Sequence, residues 1–292
     1  MMSHDAKTYL ITGANGQLGR LAVQSLIEKV PAAQVIALVR KPEAGADLAA
    51  LGVTVRIGAY DDPASLDAAF AGVSHLLLIS SSEVGQRLAQ HENVIAAAKK
   101  AGVAFLAYTS ILRADTSTLG LAVEHLATEK AIAASGIPHA FLRNSWYLEN
   151  YLGSIGPALE HGAVAGSVGE GRISAASRAD YAEAAAVVLS NSDAYVNATL
   201  ELAGDDAFTL TDLAAEIGGL AGKPVVYAYM PEDAYKAMLV QVGLPEAFAG
   251  LLADSDVGAS KGGLFDDSKT LSRFIGRPTT PLKTVLAAAM GK

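Results

Sequence analysis

Along the first half of the chain, short runs of consecutive apolar residues alternate with longer segments whose apolar residues recur every three or four positions. The runs, at 8–12, 34–39, 54–57, 75–79, 103–108 and 139–142, have the length of strands and are apolar on both faces, as in a parallel sheet covered by helices. The periodic segments, at 17–30, 63–70, 85–101 and 119–135, predict the covering helices. This alternation predicts an α/β fold, a Rossmann-type doubly wound parallel sheet, spanning about residues 1–150. Beyond it the pattern is glycine-punctuated and less regular, with a helix at 178–190, a strand at 199–202, a helix at 211–221 and a strand at 225–229. Residues 151–292 are therefore expected to form mainly a smaller C-terminal α/β substrate lobe, with part of it, about 178–204, returning to the main sheet.

Composition narrows the classes. A chain of 292 residues that is 51% hydrophobic can bury a large core. Its 22 basic and 30 acidic residues give no electrostatic reason to bind nucleic acid or anionic lipid. There are no cysteines, which excludes disulfides and thiolate chemistry. The histidines, His4, His75, His91, His125, His139 and His161, show no metal-ligand spacing, so no metal site is expected. No charged leader and no run of 18 apolar residues is visible, so no membrane association and a cytoplasmic location are expected. The oligomeric state stays open between monomer and homodimer.

Candidate chemistry begins where the first strand ends. Residues 9–19 read Y-L-I-T-G-A-N-G-Q-L-G, an apolar strand running into a glycine-spaced turn and a helix. The spacing of Gly13, Gly16 and Gly19 departs by one residue from G-x-G-x-x-G but answers the same needs: a tight turn, a close backbone approach to a pyrophosphate, and close packing of helix on sheet. Asn15, Gln17 and Leu18 complete this cradle, whose helix N-terminus offers free N–H groups to phosphate. The second strand ends at Arg40, 21 residues past Gly19, where NAD-binding chains place an acid on the ribose 2′-OH. Arginine cannot accept that bond and suits a 2′-phosphate, so NADPH is the expected cofactor, with Lys41 adding charge beside it. The alternative for Arg40 and Lys41 is an exposed basic pair on a solvated loop.

The chain resembles the atypical short-chain dehydrogenases/reductases of the NmrA-like group. The likeness is carried by T-G-A-N-G-Q-L-G at 12–19, L-L-L-I-S-S-S-E-V-G-Q-R at 76–87, A-Y-T-S at 107–110, L-A-T-E-K at 126–130, L-R-N-S-W-Y at 142–147 and S-D-V-G-A-S-K-G-G-L-F-D-D-S-K-T-L at 255–271. The glycine turn is common to the superfamily. The second and last of these stretches are narrower and favour a quinone reductase over a triarylmethane dye reductase. The resemblance implies NADPH-dependent two-electron reduction of a small planar quinone.

An absence bears on that chemistry. Classical members place a proton-donating tyrosine four residues before a lysine, whereas Lys130 is here preceded at that distance by Leu126. Hydride delivery to a ketone makes an alkoxide of pKa roughly 16, and delivery to a quinone makes a phenolate-like anion near about 10. The gap of about 6 units is roughly 8 kcal/mol in the cost of an unprotonated product. A quinone or a delocalised dye therefore needs little acid catalysis, and no general acid is assigned.

The remaining candidates lie at the carboxyl ends of the predicted strands. Ser80 and Ser81 are expected beside the nicotinamide ribose, or else cap the next helix. Lys130 is expected to position the cofactor, with a solvated lysine paired to Glu129 or Glu124 as the alternative. Thr109 and Ser110 are expected at a ligand or in a turn, and Asp61 at the adenine edge or in an Asp-Asp-Pro turn. Asn144 is expected to orient the nicotinamide or acceptor oxygen, and Trp146 and Tyr147 to stack on the acceptor or to pack as core. Gln86, Arg87 and Arg178 are candidates to close an acceptor pocket or bind an anionic product, and Lys261 and Phe265 to form a lid. Two readings stand beside the quinone reductase: an NADP(H)-binding redox sensor without turnover, and a triarylmethane dye reductase.

Overall fold

The structure is a computed structural model and describes residues 7–292; His4 lies outside the described residues. The chain runs β1 (Tyr9–Ile11), α1 (Gln17–Ile27), β2 (Val35–Val39), α2 (Ala46–Ala49), β3 (Thr54–Ile57), α3 (Pro63–Ala69), β4 (His75–Leu78), α4 (Arg87–Ala101), β5 (Phe105–Ile111), α5 (Leu121–Ser135) and β6 (His139–Asn144). It continues with α6 (Ile155–His161), β7 (Ala163–Gly166), α7 (Arg178–Ser190), β8 (Ala198–Leu202), α8 (Leu210–Ala221), β9 (Val226–Tyr229), α9 (Glu232–Gln241), α10 (Glu246–Ser260), α11 (Thr270–Ile275) and α12 (Leu282–Ala289).

Seven strands form one sheet in the order β3-β2-β1-β4-β5-β6-β8. The pairs β2/β3, β1/β2, β1/β4 and β4/β5 are parallel, with Tyr9 level with both Val35 and His75. At the far edge, Asn197 N–H donates to His139 O and Ser145 N–H to Leu202 O, bonds that advance together along β6 and β8 as parallel strands require. Strands β1, β2, β4 and β5 are buried at every position, which is why they read as continuous apolar runs. The order reverses between β1 and β4, the switch point at whose carboxyl side open α/β sheets bind ligands.

The chain divides into two compact units. Of the described residues, 7–110, 124–143 and 181–200 form the first, and 111–123, 144–180 and 201–292 the second. In the first, Leu10, Leu38, Leu66, Phe70, Leu76, Val94, Leu106 and Ile132 join one buried core. In the second, β7 and β9 form a two-stranded parallel sheet and α8 turns Leu213, Ala214 and Ile217 inward.

Two differences from the expected elements have physical causes. Strand β5 runs to Ile111 rather than ending at 108, because Thr109 and Ser110 are buried and their hydroxyls have partners. The later half holds helices α6 and α9 to α12 where no periodicity predicts them; α9 and α10 start at prolines, Pro231 and Pro245, and lie half-exposed with a weak apolar stripe. No helix among the described residues is long and apolar enough to cross a membrane.

Candidate cofactor cradle and acceptor residues

The glycine turn sits at the carboxyl end of β1 as its spacing predicts. Gly13 adopts a left-handed φ of 58°, and its carbonyl accepts the Gly16 N–H at 2.9 Å. A Cβ on Gly19 would lie 2.2 Å from Gly13 O and 2.8 Å from Ala14 Cα, so α1 can approach the turn only with glycine there. A Cβ on Gly16 would meet only Gly13 O, at 3.2 Å. Helix α1 has no side-chain cap and no acid in its first turn, which leaves its leading N–H groups without a protein acceptor. Asn15, Gly16 and Gln17 are exposed, whereas Leu18 is buried and packs the helix rather than facing a ligand. An uncapped helix start beside a side-chain-free turn fits a pyrophosphate. Arg40 projects from the end of β2 and is 73% exposed, with Nη1 3.5 Å from Glu83 Oε1.

The turn is braced from below by a residue that spacing did not single out. The Tyr60 hydroxyl lies 2.5 Å from Thr12 Oγ1 and 2.8 Å from Ile79 O, tying the ends of β1 and β4 together, and burial pushes its pKa upward. Asp61 is exposed, and its neighbour Asp62 caps α3 by accepting the Ser65 N–H at 3.2 Å, the turn role of the Asp-Asp-Pro stretch.

After β4, Ser80 and Ser81 are held by a buried polar network. Ser80 N–H donates to Thr109 Oγ1 at 2.8 Å and Ser81 N–H to His91 Nε2 at 2.9 Å. His91 Nδ1 is 3.0 Å from Thr128 Oγ1, whose own hydrogen goes to Glu124 O at 2.9 Å. The ring must therefore be neutral, protonated on Nδ1 and accepting on Nε2. Burial, aided by the nearby Arg87 charge, pulls its pKa down to about 3. Beside it, Tyr108 Oη lies 2.8 Å from His125 Nδ1, and burial lowers His125 as well. Arg87, expected to close an acceptor pocket, is buried, donating from Nε to Ser81 O at 2.7 Å with Nη1 3.6 Å from Glu124. Gln86 is exposed at the start of α4.

On α5, Glu129 and Lys130 point to opposite surroundings. Glu129 is buried, makes a bidentate pair with Arg143 at 2.9 and 2.7 Å, and accepts the Ser110 hydroxyl at 2.5 Å. Ser110, in the position of a classical catalytic serine, is thereby committed to the interior. Lys130 is exposed and, among the described residues, makes no ion pair; neither Glu129 nor Glu124 takes it, so it is available to a ligand.

In the second unit, Asn144 ends β6 and is buried, and its Oδ1 meets no donor among the described residues. A buried amide oxygen without a donor suits an N–H or O–H supplied by a ligand. Trp146 is half-buried. Tyr147 is half-buried under the Arg178 guanidinium, 4.5 Å from its ring centre, and burial raises its pKa. Arg178 also faces Glu149 at 3.4 Å and donates to Asn150 at 2.8 Å, so it braces Tyr147 rather than waiting for an anion. The narrow stretch near 260 is packed, not lid-like: added Cβ atoms on Gly258 and Gly263 would fall 2.7 and 2.5 Å from Leu119, and Leu264 is buried. Lys261 is exposed and Phe265 lies under Arg172 at 5.1 Å. No cluster of metal-ligating side chains occurs among the described residues.

The model of the NmrA-like family matches residues 5–276. The chain belongs to the NmrA-like family. Quinone oxidoreductase 2 of Escherichia coli (strain K12) is 59% identical over 272 residues, covering 93% of this chain and 95% of that protein. A crystal structure of the E. coli NADPH-dependent quinone oxidoreductase complexed with NADPH superposes with a TM-score of 0.94 at 56% identity, covering 97% of this chain and 100% of that one. The Citrobacter sp. triphenylmethane reductase complexed with NADP(H) gives a TM-score of 0.92 at 40% identity, with 97% and 100% covered.

Family membership accounts for the cradle but does not single out the residues that brace it. Tyr60 and His91 carry no motif: a lone tyrosine and a histidine at a helical core position look like packing. Their one signal is polarity within otherwise apolar surroundings.

Proposed function

We propose that this protein is an NADPH-dependent oxidoreductase that reduces a small planar quinone to its hydroquinone by two electrons. The observation that carries the proposal is the uncapped α1 start against Gly13 and Gly16, with an exposed arginine, not an acid, ending β2. The identity to E. coli quinone oxidoreductase 2 supports the choice of acceptor over the dye read by the Citrobacter enzyme.

In this reading the first unit holds the cofactor. Gly13, Asn15, Gly16, Gln17 and Gly19 receive the pyrophosphate, with Leu18 packed behind them, and Arg40 the 2′-phosphate. Ser80, Ser81 and Lys130 hold the nicotinamide ribose. When bound, the dihydronicotinamide supplies the hydride. Asn144, Trp146 and Tyr147 of the second unit bind and orient the acceptor. Lys130 and Asn144 act as positioning groups. No tyrosine precedes Lys130 by four residues, Ser110 is bonded to Glu129, and burial raises the Tyr147 pKa, so among these described residues none is poised to give a proton. That restricts the enzyme to acceptors whose reduced oxygen is a weak base.

The test is cofactor choice. A charge-assisted bond to phosphate contributes roughly 1.5 to 3 kcal/mol, a tenfold to hundredfold preference. Arg40→Ala should lose NADPH affinity by that factor while NADH affinity hardly changes. Equal affinity of the unaltered protein for NADPH and NADH overturns the assignment of Arg40.

A further inference from the structure

The loop after β4 carries a carboxylate that the proposed reaction does not use. Glu83 Oε2 accepts from the Gln90 amide at 2.8 Å, Gln90 Oε1 accepts the Ser81 hydroxyl at 2.5 Å, and Ser81 Oγ accepts the Glu83 N–H at 3.1 Å. This closed ring is anchored to the interior, since Gln90 is buried and His91 and Arg87 hold the Ser81 backbone on both sides. The side chain of Glu83 is thus placed by its neighbours, with its second oxygen, Oε1, 3.5 Å from Arg40 Nη1.

Resting on the reading of Arg40 as the 2′-phosphate anchor, we propose that Glu83 is a built-in counter-anion that competes with the 2′-phosphate for Arg40 and so sets how strongly NADPH is preferred to NADH. A phosphate monoester carries about −1.5 to −2 charges at neutral pH. Bonded to Arg40, it lies within a few ångströms of the Glu83 carboxylate, so either the Arg40–Glu83 pair opens or two anions adjoin. Both act against NADPH. NADH brings a neutral hydroxyl to the same place and leaves the pair intact. Glu83 is therefore selective in its effect: it weakens the phosphorylated cofactor and spares the other.

The experiment measures binding by calorimetry on the full chain, with NADPH, NADH and adenosine 2′,5′-bisphosphate, which lacks the nicotinamide and reads the phosphate site without turnover. From the strength of an exposed ion pair, Glu83→Gln should tighten NADPH and the bisphosphate by about threefold to fivefold, and NADH should stay unchanged. Glu83→Ala, which also removes the Gln90–Glu83 hydrogen bond and so opens the ring, should move the same way. The gain should shrink in an Arg40→Ala background. Unchanged or weakened NADPH affinity overturns the proposal, as does equal tightening of NADH; a loss confined to NADH would mean that the carboxylate accepts the ribose hydroxyl instead. If Arg40→Ala weakens NADPH while Glu83→Gln has no effect, the Arg40 reading stands and only the Glu83 inference falls. If Arg40→Ala has no effect, both fall.

Discussion

Replacing Gly19 by alanine puts the cradle to a quantitative test. The added Cβ would sit 2.2 Å from Gly13 O and 2.8 Å from both Ala14 Cα and Gly13 C, all backbone atoms that cannot swing aside. An ordinary carbon–oxygen contact needs roughly 1 Å more, so the turn and α1 must separate by about that distance, at a cost of about 1 to 3 kcal/mol for overpacking. The shift breaks the 2.9 Å bond from Gly16 N–H to Gly13 O, which shapes the turn. Gly16→Ala is the control: its Cβ would meet only Gly13 O, at 3.2 Å, which a few tenths of an ångström relieve. Urea unfolding should therefore show Gly19→Ala clearly destabilised and Gly16→Ala changed by under about 1 kcal/mol. If the pyrophosphate lies against this turn as proposed, calorimetric titration should show both losing NADPH affinity at least tenfold, because the Gly16 methyl would stand in its way. If Gly16→Ala bound NADPH as tightly as the parent, the pyrophosphate would not lie against this turn. If Gly19→Ala kept full stability, the packing argument would be wrong.

His91 is held neutral, with its pKa lowered to about 3, so acid favours the unfolded state. With an unfolded value of about 6.5, the stability that neutral His91 contributes is complete above that pH and is lost as pH falls towards 3, by about 2 kcal/mol at pH 5. His91→Gln should lose less stability than the parent between pH 7 and pH 5 by that amount in urea unfolding; equal losses would mean that the native histidine takes up its proton at an ordinary pKa. Lys130→Ala should weaken NADPH binding with a similar kinetic effect across quinones of different basicity, and a loss that grew steeply with product basicity would make Lys130 a proton donor.

The sheet was legible because its central strands are buried on both faces; β1, β2, β4 and α7 fall where pattern places them. The glycine turn was legible because backbone approach constrains residue type. The pairing of Arg87 with Glu124 and of Arg178 with Glu149 was not legible, because an arginine near a strand end has the same appearance whether it meets a ligand or an acid of the protein. Lys261 and Phe265 read as a lid, yet the adjoining Gly258 and Gly263 leave no room for a side chain because Leu119 fills the space beside them. The polar network under Ser81 joins residues far apart in the chain, His91 to Thr128 and Tyr108 to His125, and no local pattern encodes such pairs.

The central claim is turnover on acceptors whose reduced oxygen is weakly basic, without a protein acid. It is tested most directly by following NADPH oxidation under anaerobic conditions with a panel of quinones, triarylmethane dyes and simple aldehydes and ketones. The account predicts turnover on quinones, with one hydroquinone formed per NADPH consumed, and none on aldehydes or ketones. Tight NADPH binding with no turnover on any acceptor would contradict it in favour of a cofactor sensor, and reduction of simple ketones at comparable rates would contradict the absence of a proton donor.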